Sequence, residues 1–242
     1  MLQVNNVSSG YGPLQILNDV SIKAKPNQIT VVVGPNGSGK STLLKTIAGL
    51  ASIYSGTVIL DDRAISELPP HEIAKAGIAY LPQTESTFTK LTVTENLKMA
   101  SYTVDRADYD NRLRDSFRIF PKLSDYLNTK VANLSGGERQ MVAMTMALIR
   151  RPTVIMFDEP TANLAPIIAT QVLNTISQIT ASSGLTTILV EQNATRALQI
   201  GQYAYLLVNG RAVFEGSTKD LLEHKELGRL YLGLGDSEGT KC

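Results

Sequence analysis

The stretch Gly34-Pro35-Asn36-Gly37-Ser38-Gly39-Lys40-Ser41-Thr42 leaves few folds open to the chain around it. It follows a short apolar run, residues 29–33, and opens a helical pattern over residues 41–50, so it reads as a loop joining a buried strand to a helix. Gly34, Gly37 and Gly39 let the backbone curl until several N–H groups point inward, and the helix start adds the positive end of its dipole. With Asn36, Ser38 and Thr42 the loop forms a cradle that holds a polyphosphate largely by main chain. Lys40 can reach the β- and γ-phosphates, and Ser41 can ligate Mg²⁺. A Gly-rich turn before a helix is the plainer reading of the same residues. The four fixed positions in a strand-loop-helix context select nucleotide binding over it.

A buried strand needs neighbours. Residues 154–157 followed by 167–179, and 187–190 followed by 194–200, repeat the same alternation of a short apolar run and a helical pattern. That alternation predicts an α/β sheet with helices on its faces. Val31-Val32-Val33 and Val154-Ile155-Met156-Phe157 have no polar alternation, as expected of central parallel strands covered on both sides. The first 28 residues and residues 56–61 read as short strands punctuated by Gly10, Gly12, Pro13 and Pro26. They predict an antiparallel sheet beside the main one, and a mixed sheet overall.

From about residue 84 to about residue 151 the pattern is helical: Thr92 and Glu95 form a capping box, and Tyr109, Leu113, Phe117 and Phe120 recur at helix spacing. This stretch reads as an insertion into the α/β alternation. No internal repeat and no Gly/Ser linker marks a second independent domain, and residues 236–242 read as a frayed end.

Charge and cysteine usage narrow the partners. A formal net charge of +1 in 242 residues, with no basic excess, gives no reason to expect nucleic acid. The single cysteine, Cys242, excludes an intrachain disulfide or a cysteine-rich metal site and fits a reducing compartment. Runs such as 29–33 and 154–157 are far too short to cross a bilayer, and residues 1–12 lack a basic-then-apolar signal pattern. A membrane role would run through a partner.

Two further segments carry chemistry. Val154 to Pro160, VIMFDEP, places Asp158 and Glu159 at the carboxyl end of a central strand, where open α/β sheets bind ligands. Asp158 there can hold Mg²⁺ through its water shell, and Glu159 can take a proton from the water that attacks the γ-phosphate. The plain alternative is a pair of solvated acids before Pro160. Leu134 to Gln140, LSGGERQ, brings Ser135, Gly136 and Gly137 into the start of a helix marked by Met141, Met144 and Leu148. On its residues alone this is either a capped helix or a second anion-binding helix start.

Together these pieces resemble the ATP-binding subunits of ABC transporters, in which a phosphate loop, an LSGGE signature and a strand ending in Asp-Glu occur in this order. The resemblance spans essentially the whole chain. It implies the P-loop NTPase fold of the ABC ATPases in a single domain, 1–242, with a mixed central sheet. Residues 1–83 and 152–242 would form the RecA-like core with its antiparallel β subdomain, and 84–151 the helical subdomain. It implies ATP and Mg²⁺ as ligands and a head-to-tail dimer in which Ser135, Gly136 and Gly137 complete the ATP site of a second ATPase subunit, identical or related. Gln83 matches the glutamine that senses Mg²⁺ and the attacking water. Tyr11 matches the aromatic that stacks on adenine.

The implied function is that of an importer's motor at the cytoplasmic face of the membrane, docked by its helical part on permease subunits and served indirectly by an extracytoplasmic solute-binding protein. The alternatives are the ATPase of a different importer or an ABC ATPase of translation or DNA maintenance. Translation factors of this kind usually carry two modules in one chain and the DNA proteins long coiled-coil insertions, and neither feature is present.

Two departures narrow the branch. Ala165, followed by Pro166, stands where the family usually has Asp after the D-loop Leu, and Gln192 stands where it usually has histidine. Both, with Leu164-Ala165-Pro166, Val190-Glu191-Gln192-Asn193 and Tyr231-Leu232-Gly233, resemble the ATPase subunits of branched-chain amino-acid importers. Asn163 replaces a Gly common in that branch, and Asn tolerates the left-handed conformation that the turn needs. Gln192 can donate to a phosphate oxygen or to the attacking water but cannot become cationic, so the base role falls to Glu159.

Overall fold

Strands with no polar face need cover on both sides, and the chain supplies it with a second sheet and a helix on one side and further helices on the other. A computed structural model describes residues 1–84, 86–102, 104–224 and 226–227. In chain order come β1 (Leu2–Tyr11), β2 (Leu14–Ala24), β3 (Ile29–Val33), α1 (Lys40–Ile47), β4 (Ser52–Leu60), β5 (Arg63–Ala64), α2 (Pro70–Lys75) and β6 (Ile78–Leu81). A helical stretch follows, with α3 (Val93–Ala100), α4 (Arg106–Ile119), 3₁₀ turns at Pro121–Tyr126 and Val131–Asn133, and α5 (Gly136–Leu148). The alternation then resumes with β7 (Val154–Asp158), α6 (Pro166–Ser183), β8 (Thr186–Val190), α7 (Ala194–Ile200), β9 (Tyr203–Val208), β10 (Arg211–Ser217) and α8 (Thr218–Glu223). Tyr231-Leu232-Gly233, residues 236–242 and Cys242 lie outside the described residues.

The main sheet has the order β10-β9-β3-β8-β7-β6, parallel throughout except for the antiparallel β9–β10 pair. The second sheet, β2-β1-β4-β5, is antiparallel. The mixed arrangement expected from sequence is therefore present. Alternate residues of each central strand feed different cores: Val31, Val33, Ile155, Phe157 and Leu189 pack with the helical stretch, α6 and α7. Val32, Val154, Met156, Ile188 and Val190 pack with α1 and the antiparallel sheet. This division explains why β3 and β7 read as continuous apolar runs.

Local boundaries have local causes. The helix pattern at Tyr109, Leu113 and Phe117 is α4, but Phe120 falls beyond its end, because the residue before a proline is driven out of the α region. Phe120 has φ −122° and ψ 69° and starts the 3₁₀ turn instead. The capping box at Thr92 and Glu95 closes the start of α3 as the sequence predicts. The strand expected at 56–61 begins four residues earlier as β4.

Tyr205 ties the two sheets together. It is buried on β9, accepts from the Lys23 N–H of β2 at 2.9 Å and donates to Glu215 Oε1 of β10 at 3.1 Å. Tyr205→Phe keeps the ring and removes both bonds. It should lower unfolding free energy by about 1–2 kcal/mol in urea titrations, with nucleotide affinity unchanged; a stability equal to wild type would show that this bridge contributes nothing.

Candidate functional site

Every chemistry-bearing segment of the core lies just beyond the carboxyl end of a parallel strand, because all these strands run the same way in the main sheet. The loop of residues 34–39 leaves β3 and enters α1. At Gly34 φ is 149°, and a Cβ there would lie 2.0 Å from the Leu207 carbonyl oxygen, so only glycine fits. The helix α1 starts at Gly39 with no side-chain cap and no acid in its first turn. Its first N–H groups are thus left for an anion.

Two other details fit a phosphate ligand. Ser38 Oγ is buried without a hydrogen-bond partner, and Lys40 is 5% exposed with Nζ donating to the Gly34 and Pro35 carbonyls at 2.9 and 3.0 Å. Burial pulls the Lys40 ammonium below the usual lysine range, and the Glu159 and Asp158 carboxylates pull it back up. A phosphate would supply the strong acceptor that this cation lacks.

β7 delivers the acids. Asp158 is 3% exposed; its Oδ1 accepts from Ser41 Oγ at 2.9 Å and its Oδ2 from Tyr80 Oη at 3.0 Å. Glu159 Oε2 accepts from Gln83 Nε2 at 2.9 Å. Gln83, Ser41, Asp158 and Glu159 are therefore joined in two hydrogen-bonded pairs across three strands. Among the described residues no group of three or more His, Cys, Asp or Glu side chains could hold a metal alone. Ser41 and Asp158 instead supply the sparse oxygen set suited to Mg²⁺, which keeps waters and takes its remaining ligands from phosphates.

The turn after β7 is strained and strongly tied. Glu159 has φ 48° and Asn163 φ 60°, the left-handed region anticipated for Asn163. The Glu159 N–H donates to the Val190 carbonyl at 2.9 Å, and the Thr161 N–H donates to Glu191 Oε1 at 3.0 Å. Pro166 then sits in the first turn of α6. Glu191 is 3% exposed and holds the loop that follows Glu159.

Other expected residues lie apart. Ser135 caps α5: its Oγ accepts from the Glu138 N–H at 3.4 Å while Glu138 Oε2 accepts from the Ser135 N–H at 2.7 Å. Gly136 and Gly137 press against Leu164 and Ile168, where a Cβ would meet methyl groups at 2.5 and 2.7 Å. Ser135, Gly136 and Gly137 share a hollow with Gln83 and residues 162–165. No described contact joins them to residues 34–42. Tyr11 ends β1 and is 41% exposed beside Gly12, Leu50 and Ser52. Gln192 is exposed and its side chain makes no hydrogen bond among the described residues.

Sequence reasoning assigned no role to Tyr80 or Glu191. The signal for Tyr80 is strand parity: β6 pairs Tyr80 with Met156, so Tyr80 shares a face with Asp158 two residues on. Glu191 carries no such signal, because only tertiary structure brings it to Thr161.

Comparison with known proteins bears on the family and the fold. The sequence matches the ABC transporter family over residues 17–162. It is 50% identical, over 98% of this chain and 100% of the other, to the probable branched-chain amino acid transport ATP-binding protein LivF of Archaeoglobus fulgidus. The fold matches the crystal structure of the ADP conformation of an ABC transporter ATP-binding cassette with a TM-score of 0.86, 27% identity and coverage of 98% and 99%. It also matches the dimeric structure of a cassette in a post-hydrolysis state bound to ADP and Pi, with a TM-score of 0.78, 25% identity and coverage of 90% and 99%.

Burial pushes the Glu191 carboxyl above the usual glutamate range, with the Thr161 and Gln192 backbone bonds opposing it. A folded value above the unfolded one means that the stability this group contributes is complete below about pH 4.3 and is lost as pH rises through the folded value. Glu191→Gln keeps an acceptor for the Thr161 N–H without the charge. Urea midpoints should show the variant gaining on wild type between about pH 4 and pH 8; a constant difference across that range would mean that charge burial is not the cause.

Proposed function

The chain belongs to the ABC transporter family, and from that premise we propose that it is the ATP-hydrolysing motor subunit of an importer, working in a head-to-tail dimer beneath permease subunits. The observation that carries this reading is the pairing of Ser41 with Asp158 and of Gln83 with Glu159 at one end of the main sheet. Phosphates would rest on the open start of α1, with Lys40 exchanging its two carbonyl partners for phosphate oxygens. Tyr11 offers its exposed ring to adenine. Ser41 and Asp158 would hold Mg²⁺, with Gln83 as a further contact, and the ion would neutralise phosphate charge.

Glu159 is the general base for the attacking water, and the Gln83 amide orients its carboxylate. Gln192, uncharged at all working pH values, donates only to phosphate. Among the described residues no contact joins Ser135, Gly136 and Gly137 to this chain's own phosphate loop, which supports their use by a second ATPase subunit; the dimeric cassette with the same fold supports that arrangement. Residues 1–83 and 152–242 act as the core and 84–151 as the helical part that meets the permease.

Branched-chain amino acids are the proposed solute, supported by the name of the relative at 50% identity. Among the described residues no helix is long and apolar enough to cross a membrane, so the reading places the subunit peripherally at the cytoplasmic face, with the solute-binding protein reached only through the permease. Co-purification of permease chains from membranes tests the assembly.

Glu159→Gln should lower ATP turnover by about 10²-fold or more while ATP still binds, and size-exclusion chromatography in ATP should show an accumulated dimer. Unchanged turnover would remove Glu159 from the base role.

A further inference from the structure

Asp158 has each carboxylate oxygen claimed by one donor, and the two donors differ in kind. Ser41 Oγ, which donates to Oδ1, belongs to the phosphate loop and keeps its lone pairs for a cation while it donates. Tyr80 Oη, which donates to Oδ2, comes from the neighbouring strand β6 and is needed nowhere else. Among the described residues no other hydrogen bond reaches Oδ2, and at 3% exposure bulk water is no ready substitute. Burial, and then the Asp158 carboxylate, push the Tyr80 phenol far up, so it remains a neutral donor throughout the physiological range. Its ring is packed among the apolar residues that line α1 and the central strands, which holds the hydroxyl in place.

Resting on the Mg²⁺-nucleotide reading above, we propose that Tyr80 is a positioning residue for the metal carboxylate, pinning Asp158 Oδ2 so that Oδ1 is presented to the cation. Hydrogen-bond partners of ligating carboxylates typically cost 10- to 100-fold in metal affinity when removed. Tyr80 does not touch nucleotide in this arrangement. Its loss should therefore weaken the metal-dependent part of nucleotide binding and spare the metal-free part.

The test is calorimetric binding of ADP, first in EDTA and then across a Mg²⁺ series, for wild type, Tyr80→Phe and Tyr80→Leu. Both variants should bind ADP without metal as wild type does, and both should need about tenfold more Mg²⁺ to reach half of the metal-induced tightening. An unshifted Mg²⁺ midpoint overturns the proposal, as does an equal loss of affinity with and without metal. A shift in Tyr80→Leu but not in Tyr80→Phe assigns the effect to packing and overturns it too. In an Asp158→Asn background Tyr80→Phe should add nothing; a further tenfold shift there also counts against it. A wild type whose ADP binding ignores Mg²⁺ would instead overturn the broader reading, an outcome distinct from a responsive wild type with unshifted variants.

Discussion

The 2.9 Å hydrogen bond from Ser41 to Asp158 joins residues 117 positions apart, and the rest of the core must be arranged for it to form. β3 and β7 are not neighbours; β8 lies between them, so the two strands stand roughly 10 Å apart. The loop cannot bridge that gap as a strand extension. Instead α1 turns back across the sheet, burying Leu43, Leu44 and Ile47 against Met156, Ile188 and Val190 of β7 and β8. That packing carries the first turn of α1, and Ser41 with it, over β8 to Asp158. Burying three aliphatic side chains in this way contributes on the order of 1.5–3 kcal/mol each, far more than the hydrogen bond it positions. The geometry of the polar site is thus maintained by apolar packing.

β8 has a second task at its own end. The left-handed backbone at Glu159 costs roughly 1–2 kcal/mol, and it persists because Val190 and Glu191 hold the turn from the neighbouring strand. Glu191 is itself an unfavourable element, a carboxyl buried near Glu159 whose charged form is disfavoured. Strain at Glu159 and desolvation at Glu191 are located together. A sequence optimised for stability alone would place glycine at the first and an uncharged acceptor at the second.

How much of this was legible depended on the range of the interaction concerned. The phosphate loop, the end of β7, the capping box at Thr92 and the turn at Asn163 are local patterns, and each is found where the sequence places it. The hairpin of β9 and β10 has an equally local signal: Asn209 and Gly210, with φ 48° and 73°, form the two-residue turn that Asn-Gly favours. Phe120 followed the helix period, and Pro121 overrode it. Tyr80 and Glu191 are different. Their partners are set by which strands become neighbours: strand parity gives the face of Tyr80 only once β6 is known to lie beside β7, and Glu191 has not even that signal.

The two glycine-flanked helix starts show how the same local physics yields unlike surfaces. At α1 no side chain closes the first turn, Ser38 Oγ is unpartnered and Lys40 is folded onto carbonyls, so the helix start lacks an anion within its own chain. At α5 the capping box of Ser135 and Glu138 already satisfies the end, and Glu138 brings a negative charge. Yet a serine hydroxyl that accepts one hydrogen bond keeps its proton to donate. The box therefore orients Ser135 without consuming it, and the packing of Gly136 and Gly137 on Leu164 and Ile168 sets that donor against the turn after β7. A helix start of this kind is stable unaided and still has one proton to give.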